Sequence, residues 1–161
     1  RIEKALAKLG ISYQDVSDPE DDGVQAAYFA EMIGDRGALA TLVVTASRGW
    51  KDVWVQGGVV STGIADLPDA QLNEAIGRVN ADLQHAPAGL FSRFKLPSFH
   101  SRGFTAGVSW SIPQRQVVGT VVIPSGEFSS AVLDSSIRLA AQLAADALAT
   151  VATARKKESL N

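Results

Sequence analysis

The chain contains no cysteine, so it can form neither a disulfide, nor a thiolate nucleophile, nor a zinc–thiolate site. This absence fits a reducing compartment, and the sequence therefore predicts a cytoplasmic location. Disulfide-free exported proteins exist, however, and residue 1 is Arg rather than Met, so a targeting segment upstream stays open. An excess of positive charge is also lacking, because 15 Lys and Arg residues stand against 17 Asp and Glu residues. Nucleic-acid binding requires clustered positive charge to displace counterions, so we expect no nucleic-acid partner.

Long hydrophobic runs are absent as well. No apolar stretch approaches the roughly 18 residues that a membrane-spanning helix needs, so we expect no membrane span. Apolar residues still make up 46% of the 161 residues, which is enough for a globular core. A chain of this length buries about 70% of its unfolded surface without a metal or disulfide. No linker or internal repeat divides it, so the sequence predicts one domain over residues 1–161.

The hydrophobic periodicity predicts an α+β fold, an antiparallel sheet flanked by helices in the order α-βββ-α-ββ(β)-α. The predicted helices cover residues 1–9, residues 67–83 after an N-cap at Asp66, and a stretch from Ser125 or Ser129 to about Ala154. The predicted strands lie within residues 24–33, 38–46, 53–60, 104–112 and 117–123. The strand given in parentheses in this order would begin at Leu90. Gly57-Gly58 is either a hairpin turn or a bulge on this evidence.

The central helix has the clearest pattern. Its apolar side chains repeat at steps of four, three and four residues, at Leu72, Ile76, Val79 and Leu83. This spacing places them on one helical face, which we expect to be buried against the sheet. Gly77 within that helix costs about 1 kcal/mol relative to Ala, so it predicts a close packing contact.

The last helix has a broader apolar surface than one sheet face needs. One stripe contains Leu133, Ile137, Leu148 and Val151, and Leu139 and Leu143 lie about 100° around the helix from it. Such a surface is either buried by the chain's own fold or shared with a second copy. We expect a two-fold homodimer, with an interface at Trp54, Leu139, Leu143 and Ala147.

Residues for catalysis or metal binding are sparse. His85 and His100 have no acidic partner at a metal-ligand spacing. The acidic segment 18–23 resembles the start of a calcium loop, but Phe29 occupies the twelfth position, where a bidentate Glu is required. The chain has no G-x-S-x-G elbow and no phosphate-binding lysine motif. The sequence therefore predicts a protein that is not an enzyme and that holds no metal and no cofactor.

Three segments resemble a known family. Ile2-x-x-x-Leu6-x-x-Leu9-Gly10-Ile11-x-Tyr13 is similar to the first helix and strand of YbjN-like domains. The segment from Leu67-Pro68 to Leu83, with Asn80 late in the helix, and Gly89-Leu90-Phe91-Ser92-Arg93-Phe94 resemble their central helix and following strand. These domains share the architecture of type III secretion chaperones, which are small, acidic and usually dimeric. The resemblance implies a protein-binding partner and brings no catalytic residues.

Two functions are compatible with these observations. The first is a non-enzymatic, chaperone-like or regulatory protein-binding domain, which offers a sheet face or a sheet edge to a partner polypeptide. The alternative is a domain that binds a small apolar ligand in a pocket between the sheet and the Ala-rich C-terminal helix.

Overall fold

The structure, a computed structural model, describes residues 1–32, 39–60, 67–85, 103–111 and 115–160, with backbone only at 83–85 and 154–160. The helices are α1 (Ile2–Lys8), α2 (Asp69–His85) and α3 (Ser130–Leu160). The strands are β1 (Gln14–Asp15), β2 (Val24–Glu31), β3 (Thr41–Ser47), β4 (Asp52–Val60), β5 (Thr105–Ser111) and β6 (Gln116–Pro124). The predicted third strand of the second run, after Leu90, lies outside the described residues.

The six strands form one antiparallel sheet in the order β1-β2-β3-β4-β6-β5. All three helices contribute to one hydrophobic core with the sheet: α3 lies across β4 and β6, α2 packs beside β5, and α1 contacts α3. Successive side chains of a strand point to opposite faces, and burial alternates accordingly along β3 and β6. The predicted α+β fold with an antiparallel sheet and flanking helices is confirmed.

Gly57 and Gly58 lie within β4 in unbroken register with both neighbouring strands. Both sequence interpretations, a hairpin turn and a bulge, are therefore wrong. Gly57 is instead paired with Gly119 of β6 beneath α3. A Cβ atom at Gly119 would collide with the carbonyl oxygen of Ala140, and one at Gly57 would lie 2.6 Å from a methyl group of Leu39. The glycine pair lets the helix backbone approach the sheet directly.

The helix α3 begins where Ser129 accepts a hydrogen bond from the backbone N–H of Val132 at 3.1 Å, an ordinary N-cap. It ends at Leu160, six residues beyond the predicted end. Most of its apolar surface is buried by the chain itself, at Leu133, Ile137, Leu139, Ala140, Leu143, Ala144, Ala147 and Val151, while Val132 and Leu148 are half-buried against the core. The breadth is needed because α3 packs against the sheet, α1 and α2 together rather than against one sheet face.

The central helix packs as its stripe predicts. Leu72 and Ile76 are buried, and Val79 is half-buried against the core. The side chain of Leu83 and the proposed cap Asp66 lie outside the described part of the chain. Gly77 is exposed, and a Cβ atom there would meet no atom within 4 Å. The close contact predicted at this glycine is wrong, because Gly77 lies on the solvent side of the helix.

Tyr28 of β2 makes the stability of the fold depend on pH. Its burial and its hydrogen bond to the Glu3 carboxylate raise the pKa of Tyr28 to about 12. An unfolded tyrosine ionises near pH 10, so the free energy of unfolding is insensitive to this group below that pH. Between about pH 10 and pH 12 only the unfolded chain releases the proton, and stability falls by up to ~1.4 kcal/mol per pH unit.

Urea unfolding at about pH 9 and about pH 11 measures this loss, with Tyr28→Phe as the matched control. The two proteins differ only at residue 28, so the expected result is a steeper decline in wild type than in the variant. Equal declines in the two proteins would contradict the raised pKa.

Candidate binding surface

The sheet face opposite the helices carries almost no charge. We define the open face as the positions of β3, β4, β5 and β6 that alternate with the buried ones. Its central members are Thr41, Val43, Thr45, Trp54, Gln56, Gly58, Val60, Ser109, Ser111, Gln116, Val118, Thr120 and Val122. None of these side chains is ionisable. The carboxylates of Asp52, at the end of β4, and of Glu31, which pairs with Thr41 from β2, border the open face.

Two large apolar side chains of the open face are exposed. Trp54 has 43% and Val60 has 53% of its surface accessible. The indole Nε1 of Trp54 donates a hydrogen bond to Asp52 Oδ1 at 3.0 Å, which fixes the orientation of the ring. In the register of the sheet Trp54 lies between Thr45 of β3 and Val122 of β6. The result is a flat, uncharged surface with a large aromatic ring held in place.

A depression of about 360 Å³ interrupts the open face above Gly58. The Thr41 hydroxyl donates a hydrogen bond to Gln116 Oε1 at 2.8 Å, which joins β3 to β6 across β4. A Cβ atom at Gly58 would collide with both of these side chains, so any larger residue there would displace the bridge. Sequence reasoning missed this feature because Thr41 and Gln116 are 75 residues apart and no local pattern connects them.

The chain's own groups occupy one main-chain position on each side of the sheet, at Val108 of β5 and at Ala27 of β2. On β5, the side-chain amide of Asn80 donates to the carbonyl oxygen of Val108 at 2.6 Å and accepts from its N–H at 2.7 Å. On β2, the carbonyl of Ala27 accepts from Val16 N–H, and its N–H donates to the Ser17 hydroxyl at 3.0 Å. A partner strand would have to displace these bonds to pair with the main chain at either position. The open face is therefore the better docking surface.

The structure separates the residues predicted to form the homodimer interface. Trp54 lies exposed on the open face, whereas Leu139, Leu143 and Ala147 are buried under α3 on the opposite side of the sheet. These three side chains are not available on the surface of the folded chain. The backbone of Ala140 lies directly against Gly119 between the sheet and the C-terminal helix, and the alternative of an apolar ligand pocket between these two elements stays a prediction.

The acidic segment 18–23 has a local structural role. The carboxylates of Asp18 and Asp21 accept backbone N–H groups of Glu20 and Gly23, each at 2.9 Å. Arg48 donates to the main-chain carbonyls of Asp21 and Asp22, which ties the turn to the end of β3. Within the described ranges, no cluster of three or more His, Cys, Asp or Glu could hold a metal ion. The His85 side chain and all of His100 lie outside those ranges.

No helix of the described residues is long and apolar enough to cross a membrane.

Comparisons with known proteins give one fold-level similarity. No protein-family model matches the chain, and no curated protein matches it. The chain is similar to the crystal structure of an uncharacterized protein from Methanothermobacter thermautotrophicus, with a TM-score of 0.53 and 16% sequence identity. The similarity covers 93% of each chain. At this identity it shows a shared fold alone, and the resemblance to YbjN-like domains stays a prediction.

Proposed function

We propose that this protein is a non-enzymatic, chaperone-like or regulatory protein-binding domain whose open face docks on an uncharged surface of a partner polypeptide. The observation that carries the proposal is the absence of ionisable side chains from the open face together with the exposure of Trp54 and Val60. Covering this face removes apolar surface from water, and a partner that leaves the bordering carboxylates of Asp52 and Glu31 in solvent desolvates no charge, so association is favourable for an uncharged partner. A charged partner surface would lose its own solvation without compensation.

The size of the open face suits a transient complex. Its four strands, spaced about 4.8 Å apart and each about seven residues long at about 3.3 Å per residue, give a flat area of roughly 450 Å². Covering it buries about 900 Å² from both partners together, which is the size of a weak or transient interface. The resemblance to YbjN-like domains and secretion chaperones supports the same class of function, and the lack of cysteine supports a cytoplasmic location.

A second copy of this chain is the second candidate partner, and one observation favours it. An uncharged face experiences no like-charge repulsion from its own copy, although the whole chain has a net charge of −2. We therefore propose the open face, and no longer α3, as the homodimer interface, with Trp54 as its exposed aromatic side chain.

Site-specific photo-crosslinking in cells that produce the protein tests the docking surface. A photoreactive phenylalanine analogue at Thr120, on the open face, is expected to capture a polypeptide, and the same residue at Thr150, exposed on α3, is expected to capture none. Trp54→Lys places a charge on the face and should reduce the Thr120 product at least about tenfold. A product at twice the chain mass identifies the homodimer, and a recurrent heterologous product identifies a partner protein. Absence of a Thr120 product, or equal products from both positions, would contradict the proposal.

A further inference from the structure

The depression above Gly58 has the properties of a small-molecule site within the open face. Its volume of about 360 Å³ lies in the range of roughly 300–1,000 Å³ that is usual for such sites. Its floor is preorganised, because the bridge from Thr41 to Gln116 fixes both side chains over the glycine. Burial of Gln116 to 7% exposure keeps this floor from rearranging freely.

The walls of the depression offer neutral hydrogen-bonding groups. The side chains of Gln56, Ser109 and Ser111 line it and form no hydrogen bond within the described parts of the chain. An amide and two hydroxyls provide both donors and acceptors. The Thr41 hydroxyl gives its proton to Gln116 and keeps its lone pairs, so it remains an acceptor. Among the described residues that line the depression none is cationic or anionic, so these residues offer no counter-charge for a phosphate, a carboxylate or an amine.

We propose that this depression binds a neutral saccharide. Sugar hydroxyls donate and accept hydrogen bonds at once, which is the combination that the serine and glutamine side chains offer. The methyl groups of Val43 and Val118 line the same depression and can contact the C–H face of a sugar ring. Trp54 lies two residues from Gln56 on the same strand face, a distance of about 7 Å, and its fixed indole provides a flat surface for a second ring.

The saccharide site is independent of the proposed protein-binding function. It depends on the neutral hydroxyl and amide groups of the depression, whereas the docking surface depends on the apolar, uncharged character of the whole face. A saccharide bound here would occupy part of the surface that a docked polypeptide covers, so the two would compete. The isolated protein should bind saccharide without any partner, so failure of one proposal leaves the other standing.

Saturation-transfer NMR on the purified protein tests the site. The probes are methyl glucoside, methyl galactoside, methyl N-acetylglucosaminide and cellobiose at about 10 mM, and glucose 6-phosphate is the anionic control. At least one neutral probe is expected to receive saturation and to shift the side-chain amide resonances of Gln56, with a Kd in the millimolar range or tighter. Glucose 6-phosphate is expected to receive no saturation and to leave the Gln56 resonances unshifted.

Two matched variants locate the binding. Ser109→Val replaces a hydroxyl of the depression with a methyl group and should weaken binding at least about fivefold. Thr105→Val makes the same kind of change on the same face of β5, outside the depression, and should leave binding unchanged. Valine is well tolerated in strands, so both variants are expected to fold. The proposal is overturned if no neutral probe binds at this concentration, if glucose 6-phosphate binds as well, or if Ser109→Val binds like wild type.

Discussion

Gly119→Ala is expected to unfold the protein or to lower its free energy of unfolding by about 3 kcal/mol or more. The new Cβ atom would collide with the backbone carbonyl oxygen of Ala140, and a backbone atom cannot rotate away as a side chain can. Relief requires α3 to move off the sheet, which would open the contact between α3 and both β4 and β6. Because close-packed interiors resist such movement, the cost exceeds that of an ordinary overpacked side chain.

Gly77→Ala is the matched control, since it makes the same substitution where no atom lies within 4 Å. Alanine stabilises a helix interior by up to about 1 kcal/mol relative to glycine, so this variant should be more stable than wild type. Urea unfolding followed by circular dichroism measures both changes. A Gly119→Ala protein as stable as wild type would show that α3 does not lie directly on the Gly57–Gly119 pair.

Leu143→Glu is expected to abolish folding. Leu143 is only 2% exposed beneath α3, so a glutamate there would be a buried carboxylate without a partner. Leu143→Ala, which removes volume without adding charge, should lower the free energy of unfolding by about 2–5 kcal/mol. Ala149→Glu introduces the same charge on the exposed side of the same helix and should change stability by less than about 0.5 kcal/mol.

Sedimentation equilibrium together with circular dichroism distinguishes two outcomes for Leu143→Glu. Loss of the folded signal supports burial of this leucine in the chain's own core. The opposite outcome is a dimeric wild type together with a folded, monomeric Leu143→Glu variant. That result would place the homodimer interface on α3 and would contradict the burial of Leu143 described above.

The candidate surface was only partly visible in the sequence. Trp54 could be singled out because a tryptophan in a strand with alternating apolar positions has a side chain on one defined face. The depression could not be found, because it depends on strands that are distant in the chain and adjacent in the sheet. The bonds from Asn80 to Val108 are equally invisible, since they join a helix to an edge strand 28 residues further along the chain.

Local periodicity alone determined the helices, the strands and the α+β class of this protein. The spacing of Leu72 and Ile76 placed one helical face in the core, and the alternation along β5 and β6 identified strands with one buried face. These patterns are local because hydrogen bonding within a helix and the pleat of a strand impose their periods on neighbouring residues.

Only the tertiary structure decided which apolar surface is internal and what each glycine does. From the sequence alone, the broad apolar face of α3 is compatible with a monomer and with a homodimer. In the structure, its contacts with the sheet, α1 and α2 account for that breadth within one chain. Gly57, Gly77 and Gly119 carry no side chain from which a role could be inferred. Two of them lie where the sheet approaches a helix and the third faces solvent, because the space around a glycine is set by residues far away in the chain.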